Sequence, residues 1–133
     1  MLNLDTHIVV HALAGTLHPA ERAALEGHSW GISAIVLWEL AKLAQLRRLE
    51  LDLNDPAFLR FLAAVHVWPI DMAVALQSTR LDLRSDPADE LIAATSVVHG
   101  APLLTRDARL LGSRIVPLVL GAVPNVTVEP PAV

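Results

Sequence analysis

Residues 84–111 read RSDPADELIAATSVVHGAPLLTRDARLL. Ser85-Asp86-Pro87 is a helix start. Asp86 falls at the N-cap, and Pro87 at the first helical position, where its missing N–H costs nothing. Asp89 then lies at the third helical position, where an acid favours the helix dipole. The apolar spacing predicts a helix running to His99, with Gly100 as its stop. Pro102 to Thr105 is a short apolar strand, and a short helix follows from about Asp107. A helix, a buried strand and a helix in succession form one unit of an α/β fold.

The same alternation extends toward the N-terminus. Met1 to Leu4 predicts a buried strand, stopped by Asp5-Thr6, and Thr6 to Ala14 an amphipathic helix ended by Gly15. Pro19 opens a helix to about Gly27, Trp30 to Ser33 suits a second strand, and Ala34 to Leu46 a third helix. Asp55-Pro56 starts a helix reaching about His66, Val67 to Ile70 is a strand, and Asp71 caps the helix after it. Val126 to Glu129 is a candidate final edge strand, followed by a loose tail at Pro130 and Pro131. No repeat or linker divides residues 1–133, so one domain is expected. Short apolar strands between helices predict a three-layer α/β/α domain around a central, mostly parallel sheet. In such sheets functional groups gather beyond the carboxyl ends of the strands.

Composition narrows the chemistry. The 133 residues are 53% hydrophobic with few aromatics, which suits an aliphatic core of helices on a parallel sheet. There is no cysteine, so disulfides and thiolate metal sites are excluded. The apolar stretches Ile32 to Trp38 and Ile115 to Val123 are far short of a membrane span, and MLNLDTH lacks the regions of a signal peptide. A cytoplasmic protein without membrane contact is expected. The formal charge of −4 argues against broad electrostatic binding of nucleic acid, though not against acids gathered in one pocket. Lys42 is the one lysine. The arginines, including the loose group Arg106, Arg109 and Arg114, read individually as solvated surface residues.

Four acids stand out: Asp5, Glu39, Asp89 and Asp107. Asp5, Asp86, Asp89 and Asp107 all have a capping explanation. Glu39 resists one, because it lies mid-helix beside an apolar stripe of Ile35, Val36 and Leu43. Its alternative is a surface pair with Lys42, worth only about 0.3–0.5 kcal/mol. Together the acids suit a hard divalent cation, which takes oxygen ligands and keeps several waters. Two such ions can clamp the attacking and leaving oxygens of a phosphodiester.

The stretches LNLDTHIVVHAL, SAIVLWELAKL and RSDPADELIAATSVVHGAPLLTRDARLL together resemble PIN domains, and most closely the toxins of VapBC-type toxin–antitoxin pairs. The ordered set carries the resemblance, which spans almost the whole chain. It implies a PIN-like fold and a metal-dependent endoribonuclease using Mg²⁺ or Mn²⁺. It implies RNA as substrate, a cognate antitoxin as partner and a homodimer. Asp5, Glu39, Asp89 and Asp107 match the family's catalytic, metal-binding acids. Thr6 and Thr105 match hydroxyl positions beside them, and Asp86 matches the first acid of a DPxD turn, expected to act as a structural cap. One departure is Glu90, where similar sequences usually carry a base. The alternative is a PIN-like interaction module without catalysis.

Other motifs contribute little. His7 and His11 stand four apart on a helix, but no HExxH and no third ligand accompany them. There is no GxGxxG, no GxxxxGK[ST] and no GxSxG. A receiver-type domain would want an acidic pair near the N-terminus and a late lysine, and neither is present.

Overall fold

A computed structural model describes residues 1–48 and 52–119. Among these residues the order is β1 (Leu2–Leu4), α1 (Thr6–Ala14), α2 (Pro19–Leu25), β2 (Trp30–Ser33), α3 (Ala34–Gln45), α4 (Pro56–Ala64), β3 (His66–Trp68), α5 (Met72–Ser78), α6 (Pro87–His99), β4 (Leu103–Leu104) and α7 (Ala108–Leu111). The expected edge strand at Val126–Glu129 lies outside the described residues.

The strands form one sheet in the order β3-β2-β1-β4, with every pair parallel. Asn3 of β1 is flanked by Gly31 of β2 and Leu103 of β4. The chain therefore steps outward from β1 through β2 to β3, then returns through α5 and α6 to the other side of β1. This reversal opens a crevice at the carboxyl ends of β1 and β4, where an open parallel sheet binds its ligands.

The core is aliphatic, as the composition requires. Leu4, Ile8, Ile32, Leu40, Ile92, Leu103 and Leu104 are buried, with Phe58 and Phe61 joining from α4. The returning helix α6 lies on β1 and β2, and α5 and α3 pack against it. A buried polar contact fixes this seating: Asn3 Nδ2 donates to Ile92 O at 3.0 Å and to Ser96 Oγ at 2.9 Å. Gly31 is bare because the Trp68 ring lies over it, and a Cβ there would come within 2.5 Å of that ring.

The element edges follow local chemistry. Asp5, Asp55, Asp71 and Asp107 each accept a first-turn N–H as N-caps, and Gly15 and Gly100 end α1 and α6 in the left-handed conformation. The third strand is His66–Trp68, not Val67–Ile70. Pro69 lacks the N–H that would carry the ladder onward, and His66 is drawn from the end of α4 into the sheet. Among the described residues no helix is long and apolar enough to cross a membrane.

Candidate active site

The first strand delivers Asp5 to the crevice. Asp5 N donates to Leu104 O at 3.1 Å, prolonging the β1–β4 pairing by one residue. Its carboxylate is buried. Oδ1 accepts from Thr6 N at 2.8 Å, capping α1, and Oδ2 accepts from Thr105 Oγ1 at 2.6 Å. Capping and placement at the strand end are thus one arrangement.

Thr105 ties two acids together. While donating to Asp5, its hydroxyl oxygen accepts from Asp107 N at 3.0 Å. Asp107 Oδ1 in turn accepts from Arg109 N at 2.8 Å at the start of α7. From the other side, Thr6 Oγ1 donates to Glu39 Oε1. Glu39 is half-buried on α3 and takes no part in a Glu39–Lys42 pair. Lys42 instead donates to Gln45 Oε1 at 3.1 Å and sits over the Trp38 ring. Asp89, in the first turn of α6, accepts from Ser85 Oγ at 2.9 Å.

These side chains line one open cleft of about 430 Å³, whose walls are Asp5, His7, His11, Glu39, Asp86, Asp89, Arg106 and Asp107. All four acids singled out in the sequence are there. Asp86 corrects an expectation. It stands at the N-cap of α6, but its carboxylate makes no capping hydrogen bond. The preceding turn is held instead by Glu90 Oε2, which accepts from Ser85 N at 3.2 Å. The Asp86 side chain joins the cleft wall.

The acids repel one another. Burial raises the pKa of Asp5 above the ordinary carboxylate value, and Asp107 adds to the rise, while the Thr105 and Thr6 hydrogen bonds oppose it without cancelling it. Glu39 is raised by burial and by the charges of Asp89 and Asp5, against the Thr6 bond. Asp89 is raised by burial and by Asp5, Asp107 and Asp86, against the Ser85 bond. Three carboxyls thus resist ionisation because each sits in a partly dry cleft among like charges. A bound cation would relieve that resistance.

The donor set tests which cation fits. It is all carboxylate oxygen with no thiolate, which suits Mg²⁺ or Mn²⁺ rather than a soft metal. Among the described residues no three carboxylate or imidazole side chains already close on one point as a ready cage. Of the paired histidines, His11 is engaged on both ring nitrogens. His11 Nε2 lies 3.0 Å from Arg106 Nη1, and its Nδ1 lies 2.7 Å from Thr16 Oγ1. A guanidinium can only donate, so Nε2 must be the acceptor and Nδ1 carries the proton.

Sequence reasoning missed Glu21, which is 2% exposed on α2. Glu21 Oε2 accepts from Arg106 Nε at 2.7 Å and Oε1 from Arg106 Nη2 at 2.6 Å. Arg106 is therefore no solvated surface arginine. In sequence, Glu21 looks like any acid in the first turn of a helix, and its partner is 85 residues away.

A second concavity, about 480 Å³, lies between α1, α4 and the start of β2. Leu13, Trp30, Phe61 and Val65 make its walls mostly apolar, and no acid lines it.

The family model for the PIN domain matches residues 3–112. Ribonuclease VapC22 of Mycobacterium tuberculosis is 35% identical over 118 residues, covering 84% of this chain and 90% of that protein. A chain of a toxin–antitoxin complex from Klebsiella pneumoniae superposes with a TM-score of 0.67 at 21% identity, covering 90% of this chain and 97% of that one. A chain of VapBC2 from Rickettsia felis, bound to a DNA fragment from its promoter, gives 0.66 at 21% identity, covering 90% and 98%. At such identities the structural matches speak for the fold, which they share with this chain.

Proposed function

The chain belongs to the PIN-domain family, and from that premise we propose that it is the toxin of a toxin–antitoxin pair, a divalent-metal-dependent endoribonuclease. The observation that carries the reading is the convergence of Asp5, Glu39, Asp89 and Asp107 on one cleft at the carboxyl ends of β1 and β4. Three of the four resist ionisation there, a state that a divalent cation offsets. The ribonuclease named among the relatives supports RNA as the substrate.

In this reading Asp5, Glu39, Asp89 and Asp107 hold Mg²⁺ or Mn²⁺, directly or through water. When bound, the cation supplies Lewis-acid polarisation of the phosphodiester and activation of the attacking water. The chain's own groups arrange the ligands. Thr105 orients Asp5 and braces Asp107 from one side, and Thr6 orients Glu39 from the other. Ser85 holds Asp89, and Asp86 adds charge to the wall. The cleft is open to solvent.

The partner readings rest on apolar surface. Trp38, Ile70, Met72 and Leu76 are exposed, apolar surface of the kind a homodimer would bury. The apolar groove between α1 and α4 suits an antitoxin segment, and the structural neighbours come from toxin–antitoxin assemblies. A toxin of this kind acts on RNA in the cytoplasm.

Incubation of the purified chain with RNA and Mg²⁺ or Mn²⁺ tests the function. Cleavage that EDTA stops, and that Glu39→Gln abolishes in a folded protein, is expected. Binding of an antitoxin without any cleavage in either metal would establish the non-catalytic interaction module instead.

A further inference from the structure

Glu21 and Arg106 form an ion pair beside the acid cleft that none of the chemistry above uses. Arg106 lies between Thr105 and Asp107 and belongs to the cleft wall. A guanidinium has five N–H bonds. Four of Arg106's are engaged among the described residues, all on the α1–α2 side: two by Glu21, one by His11 Nε2 and one by Thr16 O at 3.4 Å. Glu21 is itself anchored, because its Oε1 also accepts from His18 N at 2.8 Å at the start of α2. The fork-to-fork geometry is the strong form of an arginine–carboxylate contact.

What this clamp prevents follows from the neighbours. Arg106 is always charged. In sequence it is next to Asp107, and through Thr105 it is close to Asp5. Those carboxylates repel one another and would gain from any cation. Freed from Glu21, the arginine has a ready alternative: turn into the cleft and pair there with a carboxylate. It would then neutralise part of the charge that binds a divalent ion.

We propose that Glu21 is a positioning residue for the acid site, one that clamps Arg106 against α2 and so keeps a built-in competing cation out of the carboxylate cluster. The inference rests on the metal-site reading above and adds to it a control on how tightly the site takes its metal. It also accounts for a buried carboxylate at a place where the fold alone asks only for a helix-starting residue. The pair sequesters Arg106 rather than recruiting it, so Arg106 itself is dispensable for binding the ion.

Mn²⁺ titration followed by electron paramagnetic resonance, without RNA, tests this on three proteins. In Glu21→Gln the clamp loses its charge while Arg106 remains. Mn²⁺ affinity should fall about tenfold, equivalent to about 1.4 kcal/mol. In Glu21→Gln/Arg106→Gln the competitor is gone as well, and affinity should return to within about threefold of wild type. A clamp that merely supports the fold predicts a different order, with the double variant as weak as the single or weaker. That order, or an unchanged affinity in Glu21→Gln, overturns the proposal while leaving the metal site intact. Absence of Mn²⁺ binding in the wild type overturns the metal site and this proposal together. Removing one partner of a buried pair is costly, whereas replacing both is often tolerated. Glu21→Asp therefore stands ready if Glu21→Gln does not fold. It keeps the charge but shortens the reach, and the double variant should bind Mn²⁺ more tightly than it does; equal or weaker binding by the double variant overturns the proposal.

Discussion

Replacing Asp5 by Asn separates a metal site from a helix cap by the sign of one number. Asp5 is 5% exposed, and its carboxylate has two protein donors, Thr6 N at 2.8 Å and Thr105 Oγ1 at 2.6 Å. An Asn oxygen can keep the cap, since Asn and Asp cap about equally well. If capping were the whole role, the variant would lose the interaction of the charge with the helix dipole, about 0.3–1 kcal/mol. It would also lose the charge-assisted part of the Thr105 bond, about another 1 kcal/mol. A domain of this size would then melt lower by about 4–8 °C. The raised pKa of Asp5 says otherwise. With burial, both hydrogen bonds and the Asp107 charge all acting, the folded chain still disfavours the ionised form relative to the unfolded chain. A neutral isostere removes that penalty. In EDTA at pH 7.5, Asp5→Asn should therefore melt at or above the wild-type temperature. Added Mg²⁺ should raise the wild type by about 2.7 kcal/mol at one hundred times its dissociation constant, and the variant by much less. Thermal melts with and without Mg²⁺ are the assay. A variant that melts several degrees lower in EDTA, with no Mg²⁺ shift in either protein, would refute the reasoning.

Asp86→Ala should cost less than about 0.5 kcal/mol, as for an ordinary surface change, because its carboxylate makes no capping bond; a loss near the 1 kcal/mol typical of a true cap, measured by urea unfolding, would contradict this. Thr105→Val should cost about 1–3 kcal/mol, since it takes a donor from buried Asp5 and the acceptor from Asp107 N; RNA cleavage per folded molecule should fall with it, and a variant as stable and active as wild type would remove Thr105 from the site. The pH dependence has a definite sign. Asp5, Glu39 and Asp89 keep their protons longer when folded, so in EDTA each subtracts stability as pH rises from about 4, the ordinary carboxylate value, through its raised folded value. Glu21, with a lowered pKa, contributes stability that is lost only in stronger acid, and His11, lowered chiefly by burial and by Arg106, contributes a rise with pH below about 6.5. His11 and Glu21 are common to both proteins, so the difference in melting temperature between Asp5→Asn and wild type should widen as pH goes from 4.5 to about 7.5; a flat difference would mean that Asp5 ionises normally.

Much of the architecture was legible because helix starts are written locally. Asp55-Pro56 and Asp71 mark starts within a residue, since a cap acts on N–H groups two or three positions away, and Asp86-Pro87 marks one through the proline at the first helical position. Asp5 and Asp107 were legible for a related reason, since strand ends in a parallel sheet are where caps and sites coincide, whereas Glu39 stood out because a mid-helix acid beside an apolar stripe has no capping role. What the sequence hid was pairing at long range. The Asn3 contacts with Ile92 and Ser96 and the Glu21–Arg106 clamp join residues 85 to 93 positions apart. Nothing in the local pattern of either partner announces them. Glu21 sits at a helix start where acids are common, and Arg106 looked like one of several surface arginines. Asp86 failed in the opposite way. Its local signature is that of a cap, but Glu90 holds that turn instead. The order β3-β2-β1-β4 was likewise out of reach, because alternating strands and helices establish parallel pairing but not where the chain reverses.

The central claim is that a divalent ion sits among Asp5, Glu39, Asp89 and Asp107, and anomalous diffraction from crystals soaked in Mn²⁺ measures it most directly. The account predicts a peak in the cleft within bonding distance of one or more of these carboxylates, lost in crystals of Asp5→Asn. A peak elsewhere on the chain, or none in the cleft at saturating Mn²⁺, would contradict it.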